Sequence, residues 1–165
     1  MQVLIVHCHP EPCSFNAALT EVAKNKFEAL GNTVEVSDLH LQKFDPVESA
    51  RHYKNRVDTK TFAPLSEQRH AYRSNTIPDD VKLEIERLER CDLVVFQFPI
   101  WWHSVPAILK GWQDRVFLSG GLYTSQMRYN QGYFRGKRAM SVATSSAVDL
   151  LVLSTSSVAA VLSVT

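Results

Sequence analysis

Short unbroken apolar runs alternate along this chain with stretches in which apolar residues recur every three or four positions. Val3-Leu4-Ile5-Val6-His7 is rich in strand formers, and Pro10 and Pro12 follow it, which predicts a strand buried on both faces and stopped by a loop. Ala18, Leu19, Val22, Ala23, Phe27 and Leu30 then recur at helical spacing, and Gly31-Asn32 supplies a stop that tolerates the left-handed conformation. Residues 33–39 alternate and carry β-branched side chains, predicting a second strand. Residues 40–76 lose clear periodicity and gather Pro46, Pro64 and many charges, so an insertion is expected there, with a helical turn or two at 67–72. Pro78, acidic Asp79 and Asp80, the stripe Val81, Ile85 and Leu88, and basic Arg87 and Arg90 spell a helix whose charges suit its macrodipole. A continuous apolar strand occupies 92–98 and is halted by Pro99, a helix is expected from about Pro106 to Phe117, and residues 138–144 give a fourth strand.

Strands alternating with helices in this order predict an α/β fold, a doubly wound parallel sheet with helices on both faces, as a single domain over 1–165. Ligands of such sheets sit at the carboxyl ends of the strands. Composition adds mainly exclusions. Hydrophobic residues at 45% and charged residues at 21% are globular values, and a net charge of +1 without a Lys/Arg block gives no reason to expect nucleic acid as a partner. Cys8, Cys13 and Cys91 form no C-x-x-C pair and are odd in number, which fits reduced thiols and the cytoplasm. No ligand set for a metal stands out.

Two loops fall at carboxyl strand ends. His9-Pro10-Glu11-Pro12-Cys13-Ser14-Phe15-Asn16 joins the first strand to the first helix, with Ser14 as the natural N-cap. The unpaired N–H groups of that helix start make an anion site to which His9 and the Ser14 hydroxyl add donors. Neither the glycine-rich dinucleotide fingerprint nor the Walker pattern is present. The loop after the third strand is more specific: Trp101, Trp102 and Trp112 all lie in 97–112. Adjacent tryptophans at a strand end cannot both enter the core, so at least one is expected to line a cleft where a flat ring can stack. Pro99 and Pro106 stiffen this segment, leaving the N–H groups of Ile100 to His103 for heteroatoms along a ring edge. Lys110 and Arg115 read as helix-surface or C-terminal charges rather than catalytic groups, and Gly111 as a point of close packing.

Gln97-Phe98-Pro99-Ile100-Trp101-Trp102, then Val105-Pro106-Ala107-Ile108-Leu109-Lys110-Gly111-Trp112 and Asp114-Arg115-Val116-Phe117, resemble the flavin-ring segment of the NAD(P)H:quinone oxidoreductase family of flavodoxin-like fold. That family includes drug-activity modulators and the ancillary subunits of potassium-efflux systems. His9 with Ser14-Phe15-Asn16-Ala17 resembles its phosphate loop, and Gly121-Leu122-Tyr123 and Phe134-Arg135-Gly136-Lys137 continue the likeness. The resemblance implies a homodimer with FAD, or alternatively FMN, and ping-pong hydride transfer from NAD(P)H through the flavin to a quinone or another flat aromatic acceptor. It places His9, Ser14, Phe15 and Asn16 on the phosphates and Pro99, Ile100, Trp101, Trp102 and His103 around the ring, with Thr144 also among the cofactor-binding residues. Trp102 and His103 are the residues expected to wall the substrate slot and to act in catalysis.

The chain departs from the family after the fourth strand, where Thr144-Ser145-Ser146 replaces Thr followed by a Gly-Gly pair. Residues 147–165 contain no aromatic, histidine or basic residue and read as an atypical or incomplete C-terminal part. Their Ser/Thr content and Asp149 argue against a membrane span. Two other classes compete with the enzyme: a flavin-binding regulatory subunit docked peripherally on a potassium-efflux transporter, and a one-electron carrier, which the near-neutral charge disfavours.

Overall fold

A computed structural model describes residues 1–145 and a two-residue strand at 158–159. The elements run β1 (Gln2–His7), α1 (Phe15–Ala29), β2 (Thr33–Asp38), α2 (Pro64–Arg73), α3 (Asp79–Arg90), β3 (Leu93–Pro99), α4 (Ala107–Val116), β4 (Arg138–Thr144) and β5 (Val158–Ala159). The sheet order is β2-β1-β3-β4-β5. Its first four strands are parallel, and β5 pairs antiparallel with β4. From β1 the chain steps outward to β2 and then returns across to β3. The strand order therefore reverses between β1 and β3, which is where such sheets open a crevice. The remainder of 147–165 lies outside the described residues.

The two faces of the sheet carry separate cores. Val3, Ile5, Leu93 and Val95 pack with Ala23 and Phe27 of α1, while Leu4, Val6, Val94 and Phe98 face Val81, Ile85 and Leu88 of α3 and Leu109, Trp112 and Val116 of α4. Ser14 caps α1 by accepting from the Ala17 N–H at 3.1 Å, and Gly31 closes it with φ of 77°. The α1 stripe differs from the expected one: Val22 and Leu30 are exposed, whereas polar Asn16 and Thr20 are buried.

The 40–76 segment holds more helix than expected. Pro64 starts α2 at a first helical position, and the helix runs to Arg73. Its buried face is Glu67, Gln68 and Ala71, so hydrophobic periodicity gave no sign of its length. Hydrogen bonds hold it instead: Gln68 donates to the Asp114 carbonyl and accepts from the Ser119 N–H, both at 3.0 Å, and Glu67 accepts from the Val57 N–H.

Helix α4 is locked from several sides. A Cβ on Gly111 would lie 2.1 Å from the Pro46 carbonyl oxygen, so only glycine allows the 40–48 connection to rest on the helix. Arg115, expected as a helix-surface or C-terminal charge, stands in the last turn of α4 but is turned inward, 1% exposed. It grips both Asp80 oxygens at 2.6 and 3.1 Å, donates to the Asp45 carbonyl and lies over the Phe44 ring. Fully buried Glu84 accepts from Trp112 Nε1 at 2.8 Å, Ser37 Oγ at 2.7 Å, Gln42 and Arg87, joining α3 to β2 and α4. A buried carboxylate survives because each oxygen has such donors.

Gly111→Ala is expected to destabilise the fold by about 1–3 kcal/mol through overpacking against Pro46. Lys110→Ala, on the exposed side of the same helix, should stay within about 0.5 kcal/mol. Urea midpoints of the two variants check this, and equal midpoints would contradict it.

Candidate functional site

Both loops singled out in the sequence lie at the carboxyl edge of the sheet. In the first, the Glu11 N–H donates to His9 Nδ1 and the Glu11 carboxylate accepts from the Cys13 N–H, each at 3.1 Å. The Ser14 hydroxyl is occupied by its capping bond, so any donation to a ligand uses only its proton. Phe15 and Asn16 begin the helix, where geometry gives their N–H groups no intrahelical acceptor. Phe15 is 54% exposed and Asn16 is buried.

After β3 the chain makes a two-residue hairpin turn. The Trp101 N–H donates to the Ser104 carbonyl at 3.0 Å and the Ser104 N–H to the Trp101 carbonyl at 3.1 Å. Trp102 and His103 between them have φ of 51° and 60°. Positive φ at both central positions defines the turn that Asn-Gly normally fills, and bulky residues there are strained. The fixed ends hold it, since the Ile100 N–H also donates to the Thr144 carbonyl at 2.7 Å. The expectation that the N–H groups from Ile100 to His103 are all open is therefore corrected. That of Ile100 is engaged by β4 and that of Trp101 by the chain reversal, and those of Trp102 and His103 have no acceptor among the described residues. Trp101 is 44% exposed and Trp102 97% exposed, while Trp112 is a core residue.

The two loops meet. The His9 and Trp101 rings lie 6.1 Å apart, centroid to centroid. Below them Gln97 Nε2 donates to Asn16 Oδ1 and Asn16 Nδ2 donates to Thr144 Oγ1, both at 2.9 Å. The structure thus gathers His9, Ser14, Phe15, Asn16, Pro99, Ile100, Trp101, Trp102, His103 and Thr144 along one edge. Gln97 and His7, which the sequence reading gave no site role, belong there too. A buried polar residue at the end of an apolar strand was the available signal.

His7 sits in register between Asp38 and Gln97 with its Nδ1 2.8 Å from Thr20 Oγ1. Burial holds its pKa below the ordinary 6.5, against the opposing pull of Asp38 and with help from His9. Burial lowers His40 in the same way.

A cavity of about 1260 Å³ takes no residue from 9–16 or 97–104 and is lined by Phe117, Tyr123, Phe134 and Lys137 among others, beside β4. Its neighbours include no paired loops at strand ends, so the site is assigned to the carboxyl edge.

The fold and this edge define a doubly wound α/β protein in which the tryptophan turn and the start of α1 meet where the strand order reverses. A family model described as flavodoxin-like fold matches residues 1–151. NAD(P)H dehydrogenase (quinone) 1 of Cavia porcellus is 39% identical over 140 residues, covering 84% of this chain and 51% of that protein. Human ribosyldihydronicotinamide dehydrogenase (quinone) is 37% identical over 151 residues, covering 90% of this chain and 65% of that protein. Among solved structures, NAD(P)H:quinone oxidoreductase from Methanothermobacter marburgensis matches at TM-score 0.71 and 28% identity, over 91% of this chain and 69% of that one. The chain belongs to the flavodoxin-like family of NAD(P)H:quinone oxidoreductases. It spans about half to two thirds of the length of the curated relatives it matches.

Replacing Trp102-His103 by Asn-Gly should relieve the turn and raise stability by about 1 kcal/mol. A thermal midpoint below that of the parent chain would contradict the strain. The pH dependence follows from burial. A histidine with a lowered folded pKa stabilises fully above the unfolded value of 6.5 and loses that contribution as pH falls towards its folded value. Urea midpoints are therefore expected to drop from pH 7 to pH 5, and to drop less in His7→Gln; an equal drop in both proteins would overturn the assignment.

Proposed function

We propose that the chain is a flavin-dependent NAD(P)H:quinone oxidoreductase that holds FAD in the cleft at its carboxyl edge and reduces quinones or other flat acceptors by a ping-pong mechanism. The observation that supports this reading best is the meeting of His9 with Trp101 above the Asn16–Thr144 bond, which makes the two loops walls of one cleft. The donor set fits the group. The N–H groups of Phe15 and Asn16 face the anion position at the start of α1, with His9 beside them. The N–H groups of Trp102 and His103 suit carbonyl and nitrogen atoms along a ring edge, and the exposed indoles of Trp101 and Trp102 suit its faces.

Bound flavin supplies the hydride chemistry, accepting from NAD(P)H and passing on to the acceptor. The chain's residues orient and enclose. Ser14, Phe15 and Asn16 hold the phosphate tail, Pro99 to His103 hold the ring, and Trp102 and His103 wall the slot that the two substrates enter in turn. A turn fixed at both ends keeps donor and acceptor rings at near-contact spacing.

A homodimer accords with Phe15, Ile100, Trp101, Trp102 and Tyr123 standing exposed around and beyond the cleft. The cytoplasm accords with three unpaired thiols, Cys8, Cys13 and Cys91. Among the described residues no helix is long and apolar enough to cross a membrane.

Purified chain reconstituted with FAD should show flavin absorbance and oxidise NAD(P)H once a quinone is added. Failure of the reconstituted chain to bind either FAD or FMN would rule the reading out.

A further inference from the structure

Asn16, on the second residue of α1, is the centre of a closed circuit. Its Oδ1 accepts from Gln97 Nε2 and its Nδ2 donates to Thr144 Oγ1, both at 2.9 Å. The Thr144 carbonyl then takes the Ile100 N–H at 2.7 Å, and Ile100 returns through Pro99 and Phe98 to Gln97. One side-chain amide thus ties the start of the phosphate-loop helix, the end of β3, the end of β4 and the base of the tryptophan turn. Gln97 is 1% exposed and Asn16 5% exposed. A buried amide pair at this depth is held by its partners, because each group left single carries a desolvation penalty.

The direction of donation has a consequence for Thr144. Its hydroxyl oxygen also lies 3.2 Å from Asn16 Oδ1, close enough for the hydroxyl proton to rest there. Because Gln97 already satisfies that oxygen, the proton can turn outward to an acceptor in the cleft and leave no buried acceptor orphaned. Without the Gln97 donor, the Thr144 proton becomes the remaining protein donor for Asn16 Oδ1 and is withheld from a ligand.

We propose that Gln97 is a positioning residue that acts through Asn16 to make the Thr144 hydroxyl a hydrogen-bond donor to the bound cofactor. It does not itself touch the cofactor. The assignment rests on the flavin reading above and adds to it a role for a buried residue of β3.

The test is a double-mutant cycle on FAD affinity in the full chain, followed by flavin fluorescence, using Gln97→Leu, Thr144→Val and the pair. Each single change is expected to weaken FAD about tenfold, the scale of one hydrogen bond, and the pair to weaken it no further than the worse single change. Losses that multiply to about a hundredfold would overturn the proposal, as would unaltered affinity in Gln97→Leu. Thr144→Ser, which keeps the hydroxyl, should retain the parent affinity. Gln97→Met preserves length and lack of branching and replaces Gln97→Leu if the latter fails to fold. Unfolding midpoints of the cofactor-free proteins separate the effect from general loosening, since a purely structural role moves the midpoint and leaves the cycle additive. If the parent chain binds no flavin, the functional reading fails and this inference with it; if it binds and the cycle is additive, only this inference fails.

Discussion

The hydrogen bonds that Asn16 makes to Gln97 and Thr144 hold together the edge on which the rest of the site is built. A parallel sheet covered by helices must be apolar along most of each strand, and polar side chains become affordable only where the strands run out. On the face turned to α1 this change occurs across the sheet. Val3 and Ile5 give way to His7, Leu93 and Val95 to Gln97, and Met140 and Val142 to Thr144. Helix α1 mirrors it, packing Ala23 and Phe27 against the apolar part and presenting Thr20 and Asn16 to the polar end.

Rigidity at this edge comes from both sides of the sheet. Behind it, Glu84, Arg115 and the Gly111–Pro46 contact fix α4 against α3 and the 40–48 connection. In front, the bonds from Ile100 to Thr144 and from Trp101 to Ser104 hold two bulky residues at positive φ. Such strain persists only where the surroundings over-determine the backbone, and it clusters at ligand sites. Placing Trp102 almost wholly in solvent is unfavourable for a core and useful for a ring to stack on.

The four parallel strands were legible in the sequence because they and the helices α1, α3 and α4 carry apolar periodicity, and Ser14, Pro78 and Pro106 mark helix starts; the antiparallel β5 lies in the stretch read as atypical. The tryptophan pair and the serine-capped loop were legible because such residues are unusual at strand ends. What escaped was polar and buried. Helix α2 is held by Gln68 and Glu67, Arg115 is drawn inward by Asp80 and the Asp45 carbonyl, and Gln97 looks like one polar residue in an apolar strand. Their partners lie from ten to eighty-one positions away in the chain, so no local pattern reports them. The Ile100 N–H was misjudged for the same reason, since its acceptor lies on β4, whereas the Trp101 N–H is taken up locally by Ser104.

The claim that one cleft joins the two loops is tested most directly by backbone amide shifts in an NMR titration with FAD. Phe15 and Asn16 on one side, and Trp102 and His103 on the other, should move together and saturate at the same flavin concentration. Shifts confined to one loop, or centred on the groove around Phe117 and Phe134, would contradict it.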